Sequence, residues 1–369
     1  MLKKKIICHI STVHPLFDDR IFYKECITLS KNLYDVYLIV THTSDEIIQN
    51  VNIISLPAPV NRRQRIFKNA FLAFRKATSV KPDIIHFHDP ELLGIGIFFR
   101  LLGKKVIYDV HEDVARQMLY KKWIGSAELR FILSGFVALF ESFASLFFNK
   151  IVVVTEDIQK KFPASKTILV RNFPIVSMIR DAKPALLIKK RKVVIYAGNL
   201  SEVRGIKELI DAIEHIDADL WLLGDWESAE FESFCKTSGG WKQTTFLGKR
   251  KLEEVYGYLK LADVGIALLY PIKNYLKSLP VKAFEYMALG LPMILSDFPY
   301  WIETFSECAE FANPFKTEEI VIKLKLLLTD AQTADKMGAT SRRMIDNGYS
   351  WEVESLKLIN LYNEILNDN

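Results

Sequence analysis

The chain has 369 residues, half of them apolar, and a formal net charge of +5. That length exceeds what one core supports, so two domains are expected, and the apolar fraction is ample for two cores. The four cysteines, Cys8, Cys26, Cys235 and Cys308, lack CxxC spacing, which argues against a zinc site and a disulfide framework and points to a reducing compartment.

Charge is distributed unevenly along the chain. Residues 1–180 carry 26 Lys and Arg against 16 Asp and Glu, and the remainder carries 23 against 28. The first half is therefore the one that should attract anions.

The opening MLKKKIICHIST has a basic start, but its apolar run is too short and lacks a cleavage-like end for a leader, so it reads as a first strand. Short apolar runs then alternate with helical patterns, as parallel βα units do. Strands are expected near Lys5–Ser11, Val36–Thr41, Ile53–Leu56, Asp83–His88, Lys105–Val110, Ile151–Thr155 and Ile168–Val170.

Between these strands lie several stretches with chemical content. Arg62 to Lys76 sets six basic residues among Ile66, Phe67, Ala70, Phe71 and Phe74, a basic amphipathic helix that suits an anionic membrane surface or a solvated face. No nucleic-acid fold motif accompanies it. His86, His88, Asp89 and Glu91 crowd one strand end, and His86 and His88 share a face. A metal site must be considered there, but no HExxH or similar helical spacing exists, and the same residues can hydrogen-bond at a strand-to-helix turn; no metal is expected. His111, in YDVHED, sits at a strand's carboxyl end, where it can donate to a sugar hydroxyl or simply serve the loop. Gly94 and Gly96 lack the third glycine of a dinucleotide fingerprint, and no GxxxxGK[ST] loop is present. Phe131 to Phe148 is the most hydrophobic window, but Glu141 lies within it, so a buried or interfacial helix is expected rather than a span.

From Ile175 to Lys192 the regularity lapses and reads as a linker; the expected domains are 1–180 and 181–349, with a terminal helix at 350–367 returning to the first. Further strands are expected near Val193–Ala197, Leu220–Leu223, Thr245–Leu247, Val264–Leu268 and Pro292–Leu295. In doubly wound sheets, ligands bind at the carboxyl ends of strands. Gly198 and Asn199, followed by Arg204 before a helix, occupy such an end, as either a diphosphate-binding turn or a βα turn with a solvated arginine.

The stretch YLKSLPVKAFEYMALGLPMILSD, from Tyr275 to Asp297, reads as loop, helix and strand. Ser278 can cap, Pro280 suits the first helical turn, and Gly290 ends the helix. The helix N-terminus is an anion site, and Lys282 and Glu285, three apart, share a face that suits a phosphate joined to a ribose. The alternative is a surface ion pair.

These motifs together resemble the retaining GT-B glycosyltransferases of family 4, also called group 1. The strand-Gly turn with Arg204-Gly205, the FLGK turn from Phe246 to Lys249, Leu261-Ala262-Asp263-Val264, LPVKAFEYMALGLPMILSD and a closing helix opened by Tyr349-Ser350-Trp351 carry the resemblance. It implies an α/β GT-B architecture, two Rossmann-like doubly wound parallel-sheet domains facing a cleft. It implies Gly198, Asn199, Arg204, Lys249, Lys277, Ser278, Leu279, Pro280, Lys282 and Glu285 as donor-binding positions, with Glu285 on the ribose. The family's signature pairs two glutamates seven residues apart; here the first position is Lys277, and one cation of the usual basic pair is replaced by Asn199. Lys277 or Lys282 is expected to restore that charge. His111 matches the histidine that approaches the donor sugar, and STVHPLFDDR replaces a glycine-rich acceptor-side loop, making His14, Asp18, Arg20 and Lys24 acceptor candidates, with Asp18 or Asp19 equally able to cap the next helix.

The resulting expectation is transfer of a sugar from a UDP- or GDP-linked donor to a glycan or lipid-linked acceptor. The reaction uses no cofactor, with His111, Arg204 and Lys282 as catalytic groups and front-face substitution as the implied course. The protein is expected to be cytoplasmic, peripheral on the inner face of the cell membrane through residues 62–76, and to bind no nucleic acid. The rivals are a silent nucleotide-sugar binder, motivated by Lys277 and Asn199, and a nucleotide-sugar epimerase of the same architecture.

Overall fold

The computed structural model describes residues 4–120, 124–272, 275–276 and 278–367. The chain divides into two compact units, Met1–Asn172 with Val353–Asn369, and Phe173–Glu352.

The first unit is built on eight strands: β1 (Ile6–Pro15), β2 (Asp35–Thr41), β3 (Glu46–Ile48), β4 (Val51–Leu56), β5 (Ile84–Phe87), β6 (Lys105–Val110), β7 (Lys150–Val153) and β8 (Thr167–Leu169). Their order across the sheet is β3-β4-β2-β1-β5-β6-β7-β8, parallel throughout except for β3 against β4. Helices cover both faces, which is why β5 is buried at every position and the central strands read as continuous apolar runs rather than alternating ones. The chain leaves β1 toward β2 in one direction and crosses from β4 to β5 in the other, so the carboxyl ends of β1 and β5 flank the point where the winding reverses.

The helices Ala70–Val80, Leu93–Leu101 and Ala127–Ser145 carry the crossovers β4 to β5, β5 to β6 and β6 to β7, all stepping the same way. Right-handed crossovers therefore place these three on one face. The Ile27–Lys31 helix steps the opposite way and lies on the other face. The Trp351–Asn367 helix joins that side, with Asn363 accepting from Tyr34 at 2.8 Å and Tyr362 bonded to His86 at 2.6 Å.

The second unit has six parallel strands, β9 (Lys192–Ala197), β10 (Ala218–Leu223), β11 (Thr244–Gly248), β12 (Val264–Ala267), β13 (Met293–Ser296) and β14 (Glu310–Ala312), ordered β11-β10-β9-β12-β13-β14. Here the reversal falls between β9 and β12.

Several expectations need adjustment. β1 continues to Pro15, and the short edge strands β3 and β14 are additions; three-residue strands carry too little periodicity to be read from sequence. The stretch read as a linker contains a helix, Val176–Asp181, because Val176 and Ile179 lie one turn apart and bury against the second core. The division of the units falls at Asn172, and the terminal helix joins the first unit from Val353.

Candidate functional site

In the second unit the strand ends at the winding reversal gather most of the residues expected to bind a donor. β9 ends in Ala197, and Gly198 turns with φ +147°, a conformation that side-chain-bearing residues rarely adopt. A Cβ there would lie 2.6 Å from Lys282 Nζ, so the absent side chain is what lets the lysine cross the turn. Lys282 comes from the Val281–Leu289 helix, which Gly290 ends in the left-handed region. Pro280 is the N-cap itself rather than a first-turn residue, and no side chain caps the helix; Ser278 instead accepts the Trp301 indole N–H on its carbonyl at 2.7 Å. The helix start thus keeps main-chain donors for a ligand.

Tyr196, buried on β9, organises this corner, and sequence reasoning missed it. Its hydroxyl donates to the Asn199 carbonyl at 3.1 Å and meets Arg204 Nη1 at 3.5 Å, while Lys282 Nζ stands 5.5 Å from its ring centre. As an interior aromatic of an apolar strand it looks like core, and only its hydroxyl betrays it. Burial pulls the Lys282 amine down to about 8, with Arg204 adding to the shift and Glu285 opposing it. Two cations therefore converge on one turn. Glu285 accepts from Tyr256 at 3.4 Å, one helical turn from Lys282. Leu279 packs against the hydrophobic core. Lys249 does not join the group: beyond β11, at the sheet edge, it pairs with Asp225 at 2.8 Å. Lys277 lies outside the described residues.

The first unit holds a second polar concentration. Register pairs His9 on β1 with His86 on β5, and His88 follows two residues on, so three imidazoles share one sheet face. A hydrogen-bonded row links them: His86 Nδ1 to Tyr362 Oη at 2.6 Å, that hydroxyl to His9 Nε2 at 3.3 Å, His9 Nδ1 to His88 Nε2 at 3.0 Å, and His88 Nδ1 to Asp109 at 3.2 Å. Burial lowers all three imidazoles, most strongly His9 and His86, and one set of neutral tautomers satisfies the whole row. In it His88 donates to Asp109, His9 to His88, the tyrosine to His9, and His86 to the tyrosine.

Arg20 forks onto Asp109 at 2.9 and 3.0 Å and donates to the Val170 carbonyl. Burial alone would raise the Asp109 carboxyl, but Arg20 and His111 hold it well below the usual range. Glu25, buried beside it, is pushed well above that range by burial and by Asp109, with Arg20 opposing the shift.

His9, Glu25, His86 and His88 present donor atoms within 4.8 Å of one another, a set that could be asked to hold a cation. The Arg20 guanidinium stands 3.1 Å from Glu25, however, and the His9–His88 contact is already a hydrogen bond. A dication would have to displace both, so the arrangement reads as a neutral histidine row ending on an ion pair.

This geometry corrects two acceptor candidates. Arg20 and Lys24 are turned into the interior, Lys24 holding Asp19 and Asn172, so neither presents its charge at the surface. Asp18 caps the following helix, accepting from the Arg20 and Ile21 amides at 2.9 Å, and also bonds His14 at 3.0 Å. His14 and His111 remain at the partly open rim, their rings 5.0 Å apart, with His111 on Asp109 at 2.7 Å.

Fold and site together define a two-unit α/β protein with two cations, Lys282 and Arg204, converging on a turn at a strand end. A family model described as Glycosyl transferases group 1 matches residues 178–344, and one described as Glycosyltransferase Family 4 matches residues 20–164. The chain belongs to these group 1, family 4 glycosyltransferases, and its fold is GT-B. Among solved structures it is similar to sucrose-phosphate synthase from Thermosynechococcus elongatus, at TM-score 0.77 and 17% identity over 99% of this chain and 100% of that one. It is also similar to Anabaena HepE in complex with UDP-glucose, at TM-score 0.73 and 12% identity over 97% and 99%. A curated relative, spore coat protein SA of Bacillus subtilis (strain 168), is 24% identical over 190 residues, 47% of this chain. The match spans about half of that protein, 48% of its length.

Proposed function

We propose that the protein is a retaining glycosyltransferase that moves a sugar from a nucleoside-diphosphate sugar, UDP- or GDP-linked, to a lipid-linked or surface-glycan acceptor. The observation that carries the reading is the convergence of Lys282 and Arg204 on the Gly198 turn beside an uncapped helix N-terminus. The leaving group is a nucleoside diphosphate, so the charge that grows as the glycosidic bond breaks is on phosphate oxygens. Two preorganised cations and main-chain N–H groups stabilise that charge more as it grows. Glu285, one turn along, is assigned to the ribose hydroxyls, a role its carboxylate beside Lys282 supports. The similarity to HepE, solved with UDP-glucose, supports a nucleotide-sugar donor.

The test is a thermal-shift screen of UDP- and GDP-sugars, followed by product analysis with the donors that bind. A ligand that binds only the folded protein raises its melting temperature by mass action. Binding without turnover would leave a silent nucleotide-sugar binder, and an isomerised donor would indicate an epimerase. Glu285→Ala is expected to weaken nucleotide-sugar binding by about 1.5 to 3 kcal/mol, the worth of a charge-assisted hydrogen bond, while leaving inorganic diphosphate affinity unchanged. Equal loss for both ligands, measured by calorimetry, would remove Glu285 from the ribose.

Because the cations at the diphosphate belong to the protein, turnover is expected to persist in excess chelator. Loss of turnover in chelator with rescue by one divalent ion would show that the donor brings a metal with it.

A further inference from the structure

The Ala127–Ser145 helix is built inside out. Its inward positions include Ser134, Glu141 and Ser145, and each polar group is satisfied there: Ser134 donates to the Ala115 carbonyl at 2.6 Å, Glu141 accepts from Tyr108 at 2.7 Å, and Ser145 donates to the Ser142 carbonyl at 2.6 Å. Its outward positions are Phe131, Ile132, Phe136, Leu139 and Phe143, with Phe131 73% and Leu139 71% exposed. From Phe131 to Phe148 the one charged residue is Glu141, which faces in. A surface helix of a water-facing protein distributes these residues the other way round.

The neighbouring helices extend the apolar surface. The Leu93–Leu101 helix packs against Ala127–Ser145 and exposes Phe98, Leu101 and the following Leu102. The Ala70–Val80 helix packs in turn on Leu93–Leu101 and exposes Phe71, with Phe67 just before it. The crossover rule sets all three on one face of the sheet, so these side chains belong to one layer rather than to scattered positions.

Charge identifies what covers it. Arg62, Arg63, Lys68 and Arg75 are exposed at the Ala70–Val80 end of the layer, and residues 62–76 contain no acid. The same stretch is less amphipathic than its sequence suggests, since Arg65 is committed to Glu91 and Asn69, Ala70 and Ala73 supply its buried side. A second copy of the chain docking here would set its cations against these, whereas an anionic bilayer offers acyl chains beneath a layer of phosphates. Among the described residues no helix is long and apolar enough to cross a membrane, so the fitting geometry is insertion parallel to the surface.

We propose that the outer faces of Leu93–Leu101 and Ala127–Ser145, bordered by the basic stretch 62–76, form a docking surface for an anionic lipid bilayer. It goes beyond the donor reading and does not depend on it, because vesicle binding requires no nucleotide sugar.

Flotation of the full chain with phosphatidylglycerol–phosphatidylcholine vesicles, against phosphatidylcholine alone, tests it. The wild type is expected to float with the anionic vesicles, and the triple variant Phe136→Ser, Leu139→Ser, Phe143→Ser to lose roughly tenfold or more of its partitioning with an unchanged melting temperature. Neutralising Arg62, Arg63, Lys68 and Arg75 to glutamine should abolish the preference for anionic lipid and the salt dependence. A Leu139→Trp variant gives a readout that needs no loss of binding: its added emission should shift to the blue on anionic vesicles. An unshifted emission, undiminished flotation of the triple variant, or a wild-type dimer that the triple variant dissociates while vesicles bind neither would overturn the proposal.

Discussion

Lys282→Met is expected to lower turnover by about 10²- to 10³-fold, the usual cost of removing one preorganised group from a developing negative charge. The ammonium lies over the Gly198 turn, and Arg204 meets the Tyr196 hydroxyl on the same corner, so a bound diphosphate would lose one of two convergent cations. The pH profile carries a second signature. Burial, aided by Arg204 and opposed by Glu285, brings the amine to about 8, so the free protein loses this charge above that pH. The donor kcat/KM should therefore fall along an alkaline limb centred near that value, and the limb should vanish in Lys282→Met. Stability moves oppositely. An unfolded lysine stays protonated to about 10.4, so between the two values the unfolded chain binds more protons and this group makes the fold more stable as pH rises. Turnover within a few-fold of wild type would remove Lys282 from the donor site.

The second large effect is structural. Arg20→Ala should destabilise the first unit by about 3 to 5 kcal/mol, because it strands a buried carboxylate whose partner fork spans two bonds of 2.9 and 3.0 Å. Asp109→Asn should cost a similar amount by stranding the guanidinium, and the double replacement should recover part of the loss. Acid should do the same to the wild type. Asp109 titrates well below an unfolded aspartate, so its contribution is present above about pH 4 and is lost as pH falls through the folded value. Glu25, whose carboxyl the fold raises, has the opposite sign and favours the fold less as pH rises through the ordinary carboxyl range. Five of the six tryptophans lie within Phe173–Glu352 and report the second unit, whereas circular dichroism reports both. The expected result is an earlier transition by dichroism with the tryptophan transition in place; coincident, unshifted transitions would show that the ion pair contributes little.

What the sequence by itself determined is the part of the molecule governed by local rules. Alternating apolar runs and helical stretches yield parallel sheets because a strand covered on both faces must be apolar along its length, and β5, β9 and β12 show that pattern without ambiguity. The turn after β9 was legible for the same reason. Gly198 and Gly290 are required by the backbone conformation within a few residues of themselves, and a glycine after a buried strand has few other uses.

The tertiary structure alone decided the meaning of residues whose partners are remote in sequence. His9 and His86 become neighbours through strand register, Tyr362 reaches them from the last helix, and Arg20 finds Asp109 across 89 positions, so nothing near Arg20 distinguishes an acceptor contact from a buried counter-ion. Glu141 is the sharpest case. As a charge inside an apolar window it argues against lipid, yet a helix has two faces, and its bond to Tyr108 turns it inward and leaves the phenylalanines outside. Composition counts a helix's residues, but only packing determines which of them meet the protein and which meet whatever lies beyond it.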